Sequence, residues 1–182
     1  MTETVQHARH SSHARAAGII YLAYFVVAIL GLLLAKSKIP AATVLNGVAP
    51  GLYATVTILL YLLFRPAQPI LALAAATCSL AGCANDGLRH LRYGPASLSS
   101  LVFFGPFCVL LGILILRSTF LPRWLGWPLI LAGIGWLAYL VPAVAQHARF
   151  VIFPVGFIAE FELMLWLLLH GVDEVRWREV WR

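Results

Sequence analysis

Hydrophobic residues in this chain form long continuous runs, separated by short segments rich in charged residues and proline. Six runs have the length of a membrane-spanning helix, because about 20 helical residues at about 1.5 Å each cross about 30 Å of hydrocarbon. They cover residues 16–35, 44–64, 70–88, 98–116, 125–144 and 150–169. None shows the period-two alternation of a transmembrane β-strand. The pattern therefore predicts an all-α fold, a polytopic bundle of six transmembrane helices.

The composition agrees with a membrane protein. Of the 182 residues, 62% are hydrophobic and 11% are charged, whereas soluble domains carry about 25% charged residues. A polar leader at residues 1–15 and a basic, amphipathic tail at residues 173–182 flank the predicted six-helix domain at residues 16–172. The net charge of +6 does not indicate a nucleic-acid partner, because the basic residues lie mostly between the runs. There they are expected to anchor the helices to membrane lipids.

The basic residues also predict an orientation. Six crossings place both termini on one side of the membrane, and eight Lys and Arg residues lie on that side against five on the other. Because positively charged loops stay in the cytoplasm, both termini are predicted to be cytoplasmic. The excess of Arg over Lys favours a bacterial source, and hence the bacterial inner (cytoplasmic) membrane. Trp177 and Trp181 in the tail are expected to lie along the headgroups.

Two carboxylates, Glu160 and Glu162, lie within the sixth run, where a charged group costs at least about 2.5 kcal/mol. Transfer out of water favours the protonated form of a carboxyl group, which in an apolar cavity can act as a general acid. Successive helical residues are about 100° apart, so the two side chains diverge by about 200° and only one can line an interior pocket. The structural alternative is a protonated Glu160 that bonds a backbone carbonyl freed by Pro142 or Pro154.

A second group of polar and helix-breaking residues lies in the half of the bundle predicted to face outward. It contains Asn46, Pro50, Asn85, Asp86, Arg89, His90, Arg92, Pro106, Pro142 and Pro154. Clustered prolines bend helices and can open a pocket between them. Asp86 and His90 share one helical face, where the carboxylate would orient the imidazole for proton transfer. Alternatively, Asp86, Arg89 and Arg92 form a stabilising charge network at the membrane surface.

The acids of the two groups lie at different depths. Glu160 is about 15 Å and Asp86 about 3 Å below the predicted outer boundary, at about 1.5 Å per residue. The gap of about 12 Å excludes direct contact but suits the floor and the mouth of one cavity. The expected substrate-binding residues are Asn46, Tyr53, Asn85, Trp136, Tyr139 and Phe157, of which Tyr53, Trp136 and Tyr139 fit packing roles equally well. Gln146 and His147 are expected in a loop before the sixth helix.

The chain shows no pattern typical of a metal site or a bound cofactor. Cys78, Cys83 and Cys108 lie inside apolar runs without CxxC or Cys/His spacing, as small buried residues do. The glycine patterns of a P-loop or a dinucleotide-binding fold are also missing. We therefore expect no metal and no cofactor.

Several segments resemble a known family. They are FFGPFCVLLGILILRSTFLPRWLGWPLILAGIGWLAYL at residues 103–140, AEFELMLWLLLHGV at 159–172, and Arg15-x2-Gly18-Ile19-x-Tyr21 near the start. With Arg117-Ser118-x-Phe120-Leu121-Pro122-Arg123 and Leu125-Gly126, these segments resemble a bacterial membrane family catalogued as domain of unknown function 4386. The resemblance implies a six-helix membrane protein and no particular activity. The segment between the first two helices is shorter than the family suggests.

Two classes of function fit these residues. The first is an intramembrane enzyme, a metal-independent terpenoid cyclase or isomerase-like protein, acting by cyclisation, isomerisation or epoxide opening on a lipophilic, isoprenoid-like substrate from the bilayer. Glu160 would donate the proton, and Asp86 with His90, or Glu162, would accept or relay one. The second class is non-enzymatic: a proton-coupled transporter, a lipid or quinone binder, an accessory subunit, or a protein with a purely structural role. Either class of function is compatible with a homo-oligomer.

Overall fold

The computed structural model describes residues 2–36, 39–93 and 99–180, without the side chains of residues 2–13, 142 and 145. Within these ranges every regular element is helical, which confirms the all-α prediction. The helices are α1 (Thr2–Leu34), α2 (Pro40–Phe64), α3 (Pro69–His90), α4 (Leu101–Arg117), α5 (Gly126–Leu137), α6 (Pro142–Leu169) and α7 (Glu174–Glu179). Short 3₁₀ turns at Arg123–Leu125 and Ala138–Leu140 extend the two ends of α5.

Helices α1 to α6 form a closed ring in chain order. Each packs against its neighbours in the sequence, and α6 returns to contact α1. Gly18 permits this closure, because a Cβ atom at its position would lie 2.6 Å from the backbone nitrogen of Leu168 in α6. Buried side chains such as Tyr21, Leu111 and Leu163 fill the interior. The ring therefore brings the first and the last of these helices together.

Within the described residues, four helical segments are long and apolar enough to cross a membrane: Ala14–Leu34, Pro40–Phe64, Pro69–His90 and Gln146–Leu169. Helix α4 is apolar but has only 17 residues, and α5 has 12 residues between its two 3₁₀ turns. Large apolar side chains on the outside of the ring, such as Leu32, Ile70 and Phe150, remain exposed. Surfaces of this kind are expected to face lipid. These features support a helical membrane protein.

The predicted break before the sixth helix was wrong. Gln146 and His147 are helical, because α6 already begins at Pro142. Val141 has an extended backbone, with φ −117° and ψ 97°, since a following proline disfavours the helical conformation. Proline itself fits the first helical position, where its missing N–H has no partner to lose. Gln146 and His147 are exposed, so their polarity does not interrupt the helix.

Glycines allow α4 and α5 to pack with their backbones nearly in contact. A Cβ atom at Gly112 would lie 2.6 Å from the carbonyl oxygen of Gly126, and one at Gly126 would lie 2.6 Å from that of Gly112. A Cβ atom at Gly133 would likewise lie 2.6 Å from the carbonyl oxygen of Gly105. In lipid, close packing of small residues is a main source of helix association. We call this contact the glycine seam.

The end of the described chain packs against the bundle. Asp173 caps α7 by accepting hydrogen bonds of 3.1 and 3.2 Å from two backbone N–H groups of the following turn. Trp177 is only 8% exposed, and its indole N–H donates to the carbonyl oxygen of Leu63 at 3.0 Å. Trp177 therefore faces the bundle instead of the headgroups that the sequence suggested. Trp181 lies outside the described residues.

Candidate functional site

Helix α6 turns Glu160 toward the interior of the ring. Leu163 and Met164, one helical turn further along the same face, are completely buried. Glu162 lies about 200° around the helix from Glu160. It is half-buried and is not among the residues that line the cavities described below. Of the two acids, Glu160 is the one that reaches the centre.

Side chains from three other helices contact the Glu160 carboxyl group. Its Oε2 atom accepts hydrogen bonds from the hydroxyl groups of Tyr21 at 2.7 Å and of Tyr53 at 3.0 Å. The Cys108 thiol, a weak donor, lies 3.9 Å from Oε1. The described partners of Glu160 are thus hydroxyl and thiol groups, and not a carbonyl group freed by a proline. Through them α6 is connected to α1, α2 and α4.

This arrangement can hold either protonation state of Glu160. The ionised carboxylate accepts both tyrosine bonds, and hydrogen bonds to a charged acceptor are about twice as strong as neutral ones. The protonated acid can keep Oε2 as the acceptor and carry its proton on Oε1. A proton can therefore leave Glu160 without repacking its neighbours.

Glu160 lines a hollow of about 230 Å³, which we call the inner cavity. Its walls comprise Tyr24, Phe25, Tyr53, Asp86, Leu101, Phe104, Trp136, Phe153, Gly156, Phe157 and Glu160. The rings meet edge to face, with 5.1 Å between the centroids of Tyr53 and Phe104 and 5.3 Å between those of Phe25 and Phe157. Edge-to-face contact is favourable for aromatic quadrupoles. The acid thus borders a space walled mainly by aromatic rings.

A second hollow of about 660 Å³, which we call the polar chamber, adjoins the first. It is lined by Tyr24, Ala28, Leu32, Ala35, Asn46, Ala49, Pro50, Tyr53, Cys83, Asp86, Arg89, His90 and Phe104. Four of these residues, Tyr24, Tyr53, Asp86 and Phe104, also line the inner cavity. These shared walls form the boundary between a polar, charged space and an aromatic one.

Asp86 is held at this boundary by a short hydrogen-bond chain. The Asn85 amide donates to the Ser100 hydroxyl at 2.7 Å, and the Ser100 hydroxyl donates to Oδ1 of Asp86. Asn85 and Ser100 are both buried. Because Ser100 immediately precedes α4, the chain joins α3 to α4 and orients the carboxylate. Asn85 therefore lies behind the cavity wall, where its contact with Ser100 helps to orient Asp86.

The structure brings most of the predicted site residues together. Asp86 and Glu160 line the same inner cavity, which agrees with the predicted floor and mouth of one cavity. Trp136, Phe157 and Tyr53 line it as well, and Asn46 and His90 line the polar chamber. Tyr139 lies behind this wall, with its ring centroid 6.1 Å from those of Trp136 and Phe153.

The predicted pairing of Asp86 with His90 has a different geometry. Both side chains border the polar chamber, so they do share a helical face. The described hydrogen bond of Asp86 comes from Ser100, however. The imidazole of His90 instead packs over Gly47 of α2, where a Cβ atom would lie 2.8 Å from Nε2. His90 thus has a packing role between α2 and α3.

Sequence reasoning missed several residues of the site. Tyr21 and Cys108 contact the acid directly, and Tyr24, Phe25 and Phe104 form cavity walls. Each lies inside a continuous apolar run, where an aromatic residue or a cysteine is ordinary. The position of Tyr21 in the N-terminal motif used for the family resemblance was the one available signal.

One comparison with known proteins gives a match. The family model described as "Domain of unknown function (DUF4386)" matches residues 88–171, which run from the end of α3 through α6. This match confirms the resemblance stated from the second half of the chain. The matched segment contains Phe104, Trp136 and Glu160, whereas Tyr53 and Asp86 precede it. No curated protein and no solved structure matches the chain.

Proposed function

We propose that this protein is an intramembrane enzyme that uses Glu160 as a general acid on a lipophilic, isoprenoid-like substrate. The observation that supports this proposal is the position of the Glu160 carboxyl group in the wall of the aromatic inner cavity, where Tyr21 and Tyr53 hydrogen-bond it. Acid-initiated chemistry on an alkene or epoxide needs a proton donor, an apolar space and surfaces that stabilise positive charge. The inner cavity combines all three.

In the proposed reaction, Glu160 transfers its proton to the substrate. Protonation of an alkene forms a C–H bond from its π electrons and leaves a carbocation; protonation of an epoxide oxygen opens a C–O bond. A second alkene of the substrate attacks the cationic carbon and closes a ring. Loss of a neighbouring proton to Asp86, the other carboxylate of the cavity, restores a neutral product. Asp86 then releases this proton to water on the side of the polar chamber, and Glu160 regains one through Tyr53, which borders both hollows. Since one proton is given and one is returned, the net change is an isomerisation.

Tyr21 and Tyr53 would assist the first step. As the proton leaves, negative charge develops on the carboxylate, and the two hydroxyl groups at 2.7 and 3.0 Å are already placed to stabilise it. Donors that need no reorganisation at the moment of reaction are the most effective ones. The aromatic walls offer few hydrogen-bond partners to water, which would otherwise capture the cation.

The proposed setting is a bacterial inner membrane crossed six times. The 17 residues of α4 extend about 26 Å, close to the hydrocarbon thickness. Helix α5 with its flanking 3₁₀ turns would be the other short crossing. The excess of basic residues on the side of the termini supports a cytoplasmic location for both. The polar chamber would then open toward the outer surface, and the substrate would enter from the bilayer.

The replacement Glu160→Gln tests the proposal. Amide and acid have nearly the same shape, so loss of the general acid should lower product formation by about 100-fold or more. Glu162→Gln, two residues away on another face of the same helix, is the matched control and should retain activity. Purified protein in nanodiscs would be incubated with a panel of acyclic isoprenoid alkenes and epoxides, and isomers detected by gas chromatography with mass spectrometry. Full activity of Glu160→Gln on any converted compound would contradict the proposal.

A second candidate function is proton-coupled transport of a lipophilic solute. It is favoured by the shared wall between the two hollows, which joins a polar chamber to the acid-lined cavity. A transporter would move its solute into proteoliposomes in response to a pH gradient and leave the solute chemically unchanged. Recovery of the intact solute, with Glu160-dependent uptake, would favour transport over catalysis.

A further inference from the structure

We propose that the inner cavity is a binding site for organic cations, with a hydrophobic ammonium ion as the ligand class. The inference deepens the proposed function and rests on it for the assignment of a reaction. Binding itself can be measured without turnover.

The walls of the inner cavity are suited to positive charge. Seven of its eleven lining residues are aromatic: Tyr24, Phe25, Tyr53, Phe104, Trp136, Phe153 and Phe157. The face of each ring carries the negative part of its quadrupole, and a cation within about 6 Å of a ring centroid is attracted to it, most strongly where water is excluded. Rings on several sides of one hollow form an aromatic cage.

The ionisable groups of the cavity have the complementary sign. The wall contains two acidic residues, Asp86 and Glu160, and its eleven lining residues include no Lys, Arg or His. The nearby basic residues Arg89 and His90 border the polar chamber instead. Once Glu160 has given up its proton, a cation in the cavity is attracted to the carboxylates of both residues, whereas a neutral ligand of the same shape is not.

The space is kept open where α5 and α6 meet. Gly156 lines the cavity one turn before Glu160, and a Cβ atom at its position would overlap the indole ring of Trp136. The missing side chain lets this ring lie against the backbone of α6. Phe153 supports it edge to face, at 5.3 Å and 80°. The indole therefore forms a wall of the cavity and does not fill it.

This preference follows from the proposed chemistry. A carbocation formed after proton transfer is short-lived, and a site that stabilises it should bind a stable cation of similar shape tightly, as enzymes bind transition-state analogues. An ammonium ion with apolar substituents is such an analogue. Its binding measures the charge stabilisation that the cavity offers, independently of which isoprenoid is the substrate.

The test compares a cation with its neutral isostere. Benzyltrimethylammonium and neopentylbenzene have the same shape and differ in one charge, and the full chain in phosphatidylcholine nanodiscs would be titrated with each, with empty nanodiscs subtracted. We expect the cation to bind about tenfold or more tightly than the neutral compound. Glu160→Gln should remove most of this preference, and Glu162→Gln should retain it. Phe153→Leu, which leaves both carboxyl groups in place, should reduce it severalfold.

Each outcome decides one claim. Equal binding of the two probes, or equal effects of Glu160→Gln and Glu162→Gln, would overturn the cation site. If Glu160→Gln does not fold, the Phe153→Leu result alone decides, because an unchanged preference would then reject the aromatic cage. A cation preference without any acid-dependent product would retain the site and reject the enzyme. Acid-dependent turnover without a cation preference would support the enzyme and reject the cation site.

Discussion

The glycine seam and the inner cavity are two opposite uses of side-chain size within one ring of helices. Along the seam, Gly112 and Gly126 bring the backbones of α4 and α5 nearly into contact. Around the cavity, large aromatic rings keep α2, α4 and α6 apart and leave a hollow of about 230 Å³. In lipid, apolar burial between helices supplies little driving force, so close packing and hydrogen bonds must hold the bundle together. The seam can thus offset the contacts that the cavity forgoes.

The largest expected effect comes from disturbing the seam. Gly112→Ala places a Cβ atom against the Gly126 carbonyl oxygen, and overpacking of this kind costs about 1–3 kcal/mol. Gly51→Ala in α2 is the matched control, because nothing lies within 4 Å of a Cβ atom at that position. It should leave stability unchanged or raise it, since alanine is the better helix former. Unfolding in mixed micelles, followed by circular dichroism, would measure both variants, and equal midpoints would contradict the seam.

A smaller effect should separate the two tyrosines at the acid. Tyr21→Phe and Tyr53→Phe each remove one hydroxyl group that donates to Oε2 of Glu160, at an expected cost of about 1–2 kcal/mol in stability. Only Tyr53 also lines the inner cavity and the polar chamber. Tyr53→Phe should therefore lower product formation and cation binding more than Tyr21→Phe does. If the two variants lose the same stability and the same probe binding, the hydroxyl groups serve only to hold the helices together.

The smallest expected effect is at the tail. Trp177→Phe keeps an aromatic ring but removes the N–H group that bonds the Leu63 carbonyl oxygen, which should cost about 1 kcal/mol. Because Trp177 lies away from both hollows, the variant should bind the ammonium probe as the unmodified protein does. A loss of probe binding at full stability would link the tail to the cavity and weaken the contrast between the two regions.

Continuous apolar runs were enough to predict the helical fold of the described residues, because helices satisfy their own backbone groups in lipid. Helix ends were harder to place. The start of α6 was missed because Gln146 and His147 read as a loop, although Val141 and Pro142 carried the stronger backbone signal. Polar residues indicate where a chain reaches the membrane surface, but they do not mark the end of a helix, which can extend beyond that surface.

The acids of the site were easier to predict from the sequence than the residues that surround them. Glu160 was predicted because an acid inside an apolar run is costly, and Asp86 because it lies with other polar residues near the predicted outer end of the third helix. Tyr21 could not be found in this way, because it lies 139 residues from Glu160 and the contact depends on the ring closing. A tyrosine or phenylalanine in an apolar run looks the same whether it packs, lines a cavity or faces lipid.

The contact between α1 and α6 has a consequence for how the protein is made. Since a chain is synthesised from its N-terminus, helices α1 to α5 are made before Glu160 leaves the ribosome. Until then Tyr21 and Tyr53 lack the carboxyl group that accepts their hydrogen bonds in the finished ring. A chain interrupted before α6 would hold most of the aromatic walls but no reactive acid, so the proposed chemistry can begin only after assembly is complete.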